Sequence, residues 1–342
     1  MFDKAQTQPL FMVMKRLFLI ISTILTLTAC SNEGFPVHKE NKAIAFSNVS
    51  TRAGVDDLKA TGFGVWAGMY DVDVTTYTPI LTDEEVKFDS TLGWYYTNIR
   101  YWLDNCHFYF LASYPRDVKF EEKKGYMEEE NLVYYTLDVA TSANSSRDII
   151  IAYNHVYATE NYSQPVSLTF NHLLTKVNIK IKQDFEKDKD NDYIIKKVSI
   201  TGIKSEGQLM LFPIPTEEDT PILAEWADIN NSVNLEKTFD TPINLRELGS
   251  NGAQLIWEDG LLLIPQEVVG VKVRVDYVFH YANSEEAGEE RWVEGTLPRT
   301  TWQSGNMITY LMAISEKHDI TFTAPTIEPW GAPQASGTII IK

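Results

Sequence analysis

The stretch Leu173-Leu174-Thr175-Lys176-Val177-Asn178-Ile179-Lys180-Ile181-Lys182 decides the fold class of this sequence. From Lys176 onward, polar and apolar residues alternate without a break. Successive side chains of a strand point to opposite faces, so the pattern predicts a strand with one buried and one solvated face. The apolar alternation returns in residues 196–202 after a charged connection, and we expect these two segments to pair as a hairpin.

Similar short strand candidates recur along the chain, separated by clusters of Asp, Asn, Gly, Pro and Ser. They are residues 43–49, 62–67, 86–88, 94–96, 108–112, 132–139, 148–152, 166–170, 261–266, 271–279, 307–315 and 320–323. Residues 261–266 form a continuous apolar run, which predicts a strand covered on both faces. Long amphipathic helical stripes do not occur. The sequence therefore predicts an all-β protein with two tandem β-sandwich domains, residues 43–165 and 166–342.

Composition supports this fold class and narrows the function. Of the 342 residues 44 % are hydrophobic, and 17 Tyr, 16 Phe and 8 Trp favour β-structure in a folded chain. The formal net charge of −17 would repel a phosphate backbone. We therefore expect no nucleic-acid partner.

The beginning of the chain has the pattern of an export signal. Lys15 and Arg16 precede a short apolar run, residues 17–27, which is too short to remain as a membrane-spanning helix. The residues before them carry no pattern of their own, so translation is expected to start at Met14 or Met12. Residues 1–30 are predicted to be a signal peptide.

The signal ends in Leu27-Thr28-Ala29-Cys30, which resembles a bacterial lipobox, with a small residue before the cysteine that becomes lipid-modified. The alternative is an ordinary secretory signal in which Cys30 is incidental. Modification with several acyl chains gives stable anchoring, so we expect a lipoprotein precursor that is anchored in a membrane through Cys30. Residues 31–42 are polar and are interpreted as a tether.

Features that could carry chemistry are scarce. The histidines at positions 38, 107, 155, 172, 280 and 318 form no recognisable ligand pair, and no nucleophile elbow or phosphate-binding loop occurs. His172 is expected to be a hydrogen-bonded structural residue and Cys106 a buried apolar one. Residues 184–192 alternate Asp as in a calcium loop but lack its required Gly, which favours a solvated hairpin tip. The sequence therefore predicts no enzyme, no cofactor and no metal site.

The last residues, Thr338, Ile339, Ile340 and Ile341, are all β-branched and favour an extended strand. This segment is either the last strand of the chain's own sheet or a donor strand that completes the sheet of another molecule.

Several residue strings, in this order, resemble the fimbrillin family, the pilins of type V pili. The strings are Arg100-Tyr101-Trp102, Phe108–Pro115, Leu168–Val177, Leu262–Gln266 and Trp302–Tyr310, with Trp330 near the end. The resemblance spans about Ala43 to Lys342. It implies two tandem transthyretin-like β-sandwiches that assemble as a pilus at the cell surface.

The resemblance also implies how the subunits assemble. An Arg-specific protease removes the first strand together with the lipid, and the C-terminal strand of another subunit fills the groove, giving a head-to-tail polymer. Arg52 is the expected processing site, because it is the sole basic residue between Lys42 and Lys59. Residues 43–49 would be the occluding strand, with Ile44, Phe46 and Val49 inside, and Thr338–Ile341 the donor. The resemblance implies as partners other pilin subunits, the lipoprotein export machinery, the Arg-specific protease and, before processing, the outer membrane through the lipid on Cys30.

Two alternatives remain at this stage. One is a base subunit of the pilus that keeps its lipid anchor. The other is a lipid-anchored surface protein whose exposed Trp and Tyr residues bind glycans. The second alternative keeps the lipid and the first strand in the mature protein and pairs residues 338–341 within their own chain.

Overall fold

The computed structural model describes residues 42–342, except 52–54, 72–75, 127–128, 143–146, 161, 213–222, 283, 316–318, 331–339 and 342. Within these residues the chain forms 22 strands, one short α-helix and one 3-10 helix. The prediction of an all-β fold is confirmed. The predicted signal peptide, including Cys30, lies outside the described residues, as does the tether up to residue 41. None of the described helices is long and apolar enough to cross a membrane.

In the first half, seven strands hydrogen-bond in a closed order, β1-β4-β3-β2-β5-β8-β9, around one apolar core. The elements of this half are β1 Phe46–Thr51, α1 Val55–Thr61, β2 Phe63–Asp71, β3 Tyr77–Asp89, β4 Gly93–Tyr95, β5 Cys106–Tyr114, β6 Glu121–Tyr126, β7 Glu129–Ala140, β8 Ile150–Ala158 and β9 Val166–His172. The first strand, β1, is the member that closes this order between β4 and β9.

The second half is a two-layer sandwich. Its elements are β10 Thr175–Gln183, β11 Asp192–Phe212, β12 Leu223–Asn244, the 3-10 helix Leu245–Leu248, β13 Gln254–Leu255, β14 Leu261–Leu263, β15 Glu267–Val268, β16 Lys272–His280, β17 Glu289–Thr296, β18 Thr300–Thr301, β19 Asn306–Ile314, β20 Ile320–Phe322, β21 Thr326–Pro329 and β22 Ile340–Ile341. One layer is built on β10 and β19, the other on β16, β11 and β12. Ile179 and Tyr310 from the first layer share a buried core with Ile200 and Val275 from the second.

The pairing of β10 corrects one expectation. Its buried and half-buried residues alternate over its whole length, as the sequence predicts. Its partners, however, are β19 in parallel and β13 and β14 in antiparallel orientation, whereas β11 belongs to the facing layer. The predicted hairpin of residues 173–182 with 196–202 is therefore wrong. Alternation determines which side chains point inward, but both layers of a sandwich satisfy the same alternation.

The two halves are joined by backbone pairing. The 21-residue strand β11 pairs with β16 along its first part and with β7, from the first half, along its second part. A third apolar cluster fills the junction, where Trp66 and Leu111 meet Leu209 and Ile264. The domain limits at residues 165 and 166 stay a prediction.

Two local predictions about strands are confirmed. Leu261–Leu263 is a strand with all three side chains buried. Residues 62–67 lie at the start of β2, whose glycines shape a strand. A Cβ on Gly68 would overlap the ring of Tyr77, so glycine is needed where that ring crosses the strand.

Candidate functional site

The first strand, β1, runs parallel to β9 along one of its edges. Phe46 lies opposite Val166, and Thr51 lies opposite Phe170. The register shifts between these ends, so the ladder of hydrogen bonds is irregular in its middle. A short parallel pairing with a shift is a weaker backbone attachment than a regular ladder.

Along its other edge, β1 meets the chain that runs from β4 towards β5. β1 pairs with β4 at one position, where Phe46 is opposite Trp94. Just before β1, Ala43 forms an isolated antiparallel bridge with Tyr101. We name the space between β9 and residues 94–102, which residues 42–51 occupy, the β1 groove.

Hydrogen bonds fix residues 42–45 in the β1 groove from both sides, and on the β9 side the Val166 amide donates to the Ala45 carbonyl at 2.7 Å. The Ile44 amide donates to the Arg100 carbonyl at 2.8 Å, and the Trp102 amide donates to the Lys42 carbonyl at 3.1 Å. The Tyr96 hydroxyl donates to the Ile44 carbonyl at 2.9 Å. The groove therefore recognises the main chain of its occupant, which any strand could present.

The inward side chains of the occupant are apolar. Ile44, Phe46 and Val49, the three residues predicted to form the occluding strand, are all buried in the core of the first half. Full burial of a side chain of this size stabilises a fold by about 1.5–3 kcal/mol. Phe46 makes edge-on ring contacts with Phe63, Tyr96 and Phe110 at centroid distances of 6.5, 5.6 and 6.0 Å.

One wall of the groove is held by contacts that do not involve β1. The carboxylate of Glu84, on β3, accepts hydrogen bonds from the amides of Thr97 and Asn98, each at 3.1 Å, and from Asn98 Nδ2 at 2.7 Å. Arg100 Nε donates to the Ile80 carbonyl, also on β3, at 2.8 Å. This wall is thus tied to β3 and would keep its support without an occupant.

The protonation state of Glu84 reflects these contacts. Partial burial alone would raise its pKa, but the hydrogen bonds from Asn98 and Thr97 outweigh burial and leave the pKa below its ordinary value. The carboxylate is therefore the state that holds the wall at neutral pH.

The predicted processing residue, Arg52, lies outside the described residues. It falls in the connection between β1, which ends at Thr51, and α1, which begins at Val55. The next buried anchor of the chain is Leu58 in α1. Residues 52–54 are thus the covalent link between the occupant of the groove and the rest of the fold.

The predicted donor strand is described only at its end. Ile340 and Ile341 form β22, which pairs in parallel with Leu223 and Ala224 at the edge of β12. Thr338 and Ile339 lie outside the described residues. In this structure Ile340 and Ile341 therefore pair with their own chain. A donor role would require these residues to leave β12 and enter a second molecule.

His172 is hydrogen-bonded, as the sequence predicts. Its Nδ1 lies 2.6 Å from the Asp148 carboxylate, and its ring stacks on Trp330 at a centroid distance of 3.7 Å. The Lys176 ammonium lies 5.5 Å from the centre of the same indole. The contacts join the end of β9 to the residue that follows β21, which is a structural role.

The Asp-rich connection 184–192 differs from the expected solvated tip at one residue. Asp188 is buried and accepts hydrogen bonds from the Tyr193 hydroxyl at 2.6 Å and from Asn191 Nδ2 at 3.0 Å. Burial alone would raise the Asp188 pKa, but these hydrogen bonds outweigh it and lower the pKa. The Asp188 carboxylate therefore stabilises the turn between β10 and β11.

Among the described residues, the structure brings His107 and His155 together, with ring nitrogens 3.0 Å apart. No three His, Cys, Asp or Glu side chains in the part of the chain that the structure describes lie close enough to hold a metal ion. Cys106 is buried as predicted, and burial raises the pKa of its thiol to about 11. The feature with a functional geometry is the β1 groove.

Sequence reasoning missed the support of this groove. Glu84 was not singled out, and Arg100-Tyr101-Trp102 carried no role beyond the family resemblance. The signal that could have found the wall is its charge: residues 90–103 contain no acidic residue in a chain that has 47.

The chain is similar to a family of known proteins. The model of a fimbrillin-like family matches residues 51–330. A fimbrial protein from Bacteroides vulgatus has a similar fold, with a TM-score of 0.61 at 18 % sequence identity, over 85 % of this chain and 100 % of that one. A search of curated protein sequences found no match.

Two further solved structures are less similar. A candidate cell adhesion protein from Bacteroides uniformis has a TM-score of 0.44 at 15 % identity, over 85 % of this chain and 99 % of that one. The tip fimbrial protein Mfa3 from Porphyromonas gingivalis, with a C-terminal truncation, has a TM-score of 0.32 at 10 % identity, over 80 % and 96 %.

Proposed function

The chain belongs to the fimbrillin-like family, and from this premise we propose that it is a shaft subunit of a type V pilus, exported as a lipoprotein and polymerised by strand exchange. Family membership supports a structural, non-enzymatic role in a fimbria at the cell surface. The lipoprotein export, the proteolytic processing and the strand exchange are proposed in addition to that role.

One observation carries the proposal: β1 is an apolar strand that closes the first half through short and irregular pairing. Its removal would expose the unpaired edges of β4 and β9 together with the pockets of Ile44, Phe46 and Val49. Exposed backbone groups and apolar pockets favour refilling by another strand. The wall held by Glu84 keeps the groove formed in the meantime.

The steps of assembly then follow the chain. Cys30 carries the lipid that holds the precursor at the outer membrane, and an Arg-specific protease cuts after Arg52. The cut frees residues up to 52, including β1 and Cys30, from the rest of the fold. Thr338, Ile339, Ile340 and Ile341 of a second copy enter the β1 groove, and repetition of this head-to-tail contact builds a filament.

The test is limited digestion of the purified chain with an Arg-specific protease, followed by intact mass and native gel electrophoresis. We expect loss of everything through Arg52 and a ladder of oligomers that disappears when residues 338–341 are deleted. Arg52→Lys keeps the charge and should block both the cut and the ladder. Arg299→Lys is a matched control at another exposed arginine and should change neither.

Either of two results would contradict the shaft role. One is a cut elsewhere than after Arg52, and the other is cut protein that remains monomeric. A lipid-retaining base subunit or a glycan-binding lipoprotein would then be favoured, and the pairing of β22 with β12 agrees with the second of these. A glycan-binding lipoprotein would also retain β1, and glycan binding by the uncut protein would identify it.

A further inference from the structure

Exposed apolar side chains are concentrated beside the β1 groove. Nine large hydrophobic residues are exposed among those that the structure describes, and four of them lie within ten residues. These four are Leu92 at 73 %, Tyr95 at 40 %, Ile99 at 42 % and Tyr101 at 43 % exposure. Single exposed apolar residues are common, but a local concentration marks an interaction surface.

Tyr95, Ile99 and Tyr101 belong to the segment that borders the β1 groove, and Leu92 lies just before that segment. Tyr96 and Trp102 point inward and are buried, whereas their neighbours Tyr95 and Tyr101 are exposed. The main chain of this segment is the partner of residues 42–46 in the groove. Any molecule whose strand enters the groove therefore arrives next to these exposed side chains.

The electrostatic properties of the wall suit a second copy of this chain. Two copies with a formal charge of −17 each repel at most points of contact. Residues 90–103 contain no Asp or Glu and one basic residue, Arg100. The proposed donor end is similar, since residues 329–342 contain no acidic residue and end in Lys342. Neither region contributes an Asp or Glu of its own, and the Glu84 carboxylate at the wall is engaged by hydrogen bonds from Thr97 and Asn98.

We propose that the exposed face of Leu92, Tyr95, Ile99 and Tyr101, which we name the apolar wall, docks against the body of the second copy whose C-terminal strand fills the β1 groove. This inference rests on the proposed strand exchange and adds a second contact to it. Four side chains cannot form a stable interface alone, because specific interfaces bury more than about 1,000 Å². We therefore expect the apolar wall to slow the dissociation of a subunit whose C-terminal strand already occupies the β1 groove.

The experiment separates the wall from the groove by using two donors. Full-length protein is cut with an Arg-specific protease and then loaded either with a synthetic peptide of residues 330–342 or with a whole donor subunit. The double variant Tyr95→Ser/Ile99→Ser changes two exposed side chains that lie outside the positions paired with residues 42–51 and should leave thermal unfolding unchanged. We expect unchanged release of the peptide and roughly tenfold faster release of the whole subunit from this variant.

Two further variants guard the interpretation. Leu92→Ser, which lies in the turn before β4 and away from the Ala43–Tyr101 bridge, should give a smaller change in the same direction. Val269→Ser/Tyr281→Ser removes an equivalent exposed pair, at 61 % and 52 % exposure, from the second half and should release both donors at the original rate.

The outcomes are distinct for the two proposals. Unchanged subunit release from the Tyr95/Ile99 variant would overturn the docking role of the wall while leaving strand exchange intact. Equal acceleration of peptide and subunit would also overturn it, since the groove itself would then be altered. If the unsubstituted protein accepts neither donor, strand exchange fails and the wall proposal fails with it.

Discussion

The strands β1 and β10 bury their apolar side chains equally well but are attached in different ways. β10 pairs with β19 over eight consecutive residues without a register shift and has β13 and β14 on its other edge. β1 has a shifted pairing with β9 and one paired position with β4. Both contribute residues of less than 10 % exposure to a core, such as Ile179 and Phe46.

The different backbone pairing of β1 and β10 indicates that two properties of a strand are separate. One is how much it stabilises the fold, and the other is how readily another strand can replace it. Burial of side chains determines how much stability is lost when a strand leaves. The regularity and number of backbone hydrogen bonds, and the position of the strand in its sheet, determine how readily it can leave and be replaced. β10 lies within its layer, whereas β1 closes an order of strands that remains paired from β4 to β9 without it.

The largest expected effect comes from Phe46→Ala compared with Ile179→Ala. In the uncut protein each should lower the free energy of unfolding, Phe46→Ala by about 3–5 kcal/mol and Ile179→Ala by about 2–5 kcal/mol. After processing and strand exchange, Phe46→Ala should have no effect, because residue 46 has left with β1. Chemical denaturation of both forms measures these differences.

The comparison has an internal control, since Ile179 stays in the fold throughout. Ile179→Ala should destabilise the uncut and exchanged forms by the same amount. An effect of Phe46→Ala that persists in the exchanged form would mean that β1 is retained, and the distinction between a replaceable and a permanent strand would be lost.

An intermediate effect is expected at the turn between β10 and β11. Asp188→Asn replaces a buried acceptor of the Tyr193 and Asn191 hydrogen bonds and should cost about 1–3 kcal/mol in both forms. Because the folded-state pKa of Asp188 is lowered, its stabilisation is complete above the ordinary value of 3.8 and is lost as pH falls through the folded-state pKa. Unfolding measured between acidic and neutral pH should show this loss in the unsubstituted protein and a smaller loss in Asp188→Asn.

The smallest effect is expected at the groove wall. Glu84→Gln keeps one acceptor oxygen for the Thr97 and Asn98 amides and should lower stability at neutral pH by about 1 kcal/mol or less. The Glu84 pKa is also lowered, so its contribution is present above its ordinary value of 4.5 and disappears as pH falls through the folded-state pKa.

The informative measurement for Glu84→Gln is the rate at which the cut protein takes up a peptide of residues 330–342. We expect slower uptake at neutral pH, because a less constrained wall must be ordered during binding. An unchanged rate would show that the wall does not depend on Glu84 and that the groove is supported by other contacts.

Local features of the fold were predictable from particular residues. The alternation of residues 176–182 identified β10 and its buried face, and the unbroken apolar run 261–266 identified a strand covered on both sides. Ile44, Phe46 and Val49 were expected inside a strand and are buried. These features depend on neighbours in the sequence, and a period of two is visible there.

Features that depend on distant partners were not predictable. β12 runs over 22 residues, yet its sequence contains Asn230-Asn231-Ser232 and no sustained alternation. It is extended because β11 supplies a backbone partner along most of its length. Glu84 contacts Thr97 and Asn98, which are 13 and 14 residues away in sequence. These contacts were not predictable either, because a surface carboxylate has no distinguishing sequence pattern.

The sequence by itself determined that this chain is all-β, which side chains of the alternating strands face a core, and that the first strand is apolar enough to be buried. Tertiary structure alone decided which strands are neighbours: β10 beside β19 instead of β11, and β1 between β9 and β4. The physical reason is that side-chain periodicity is a local property of a strand. The choice of partner depends on the closure of long loops and on packing between layers, which only the assembled fold brings together.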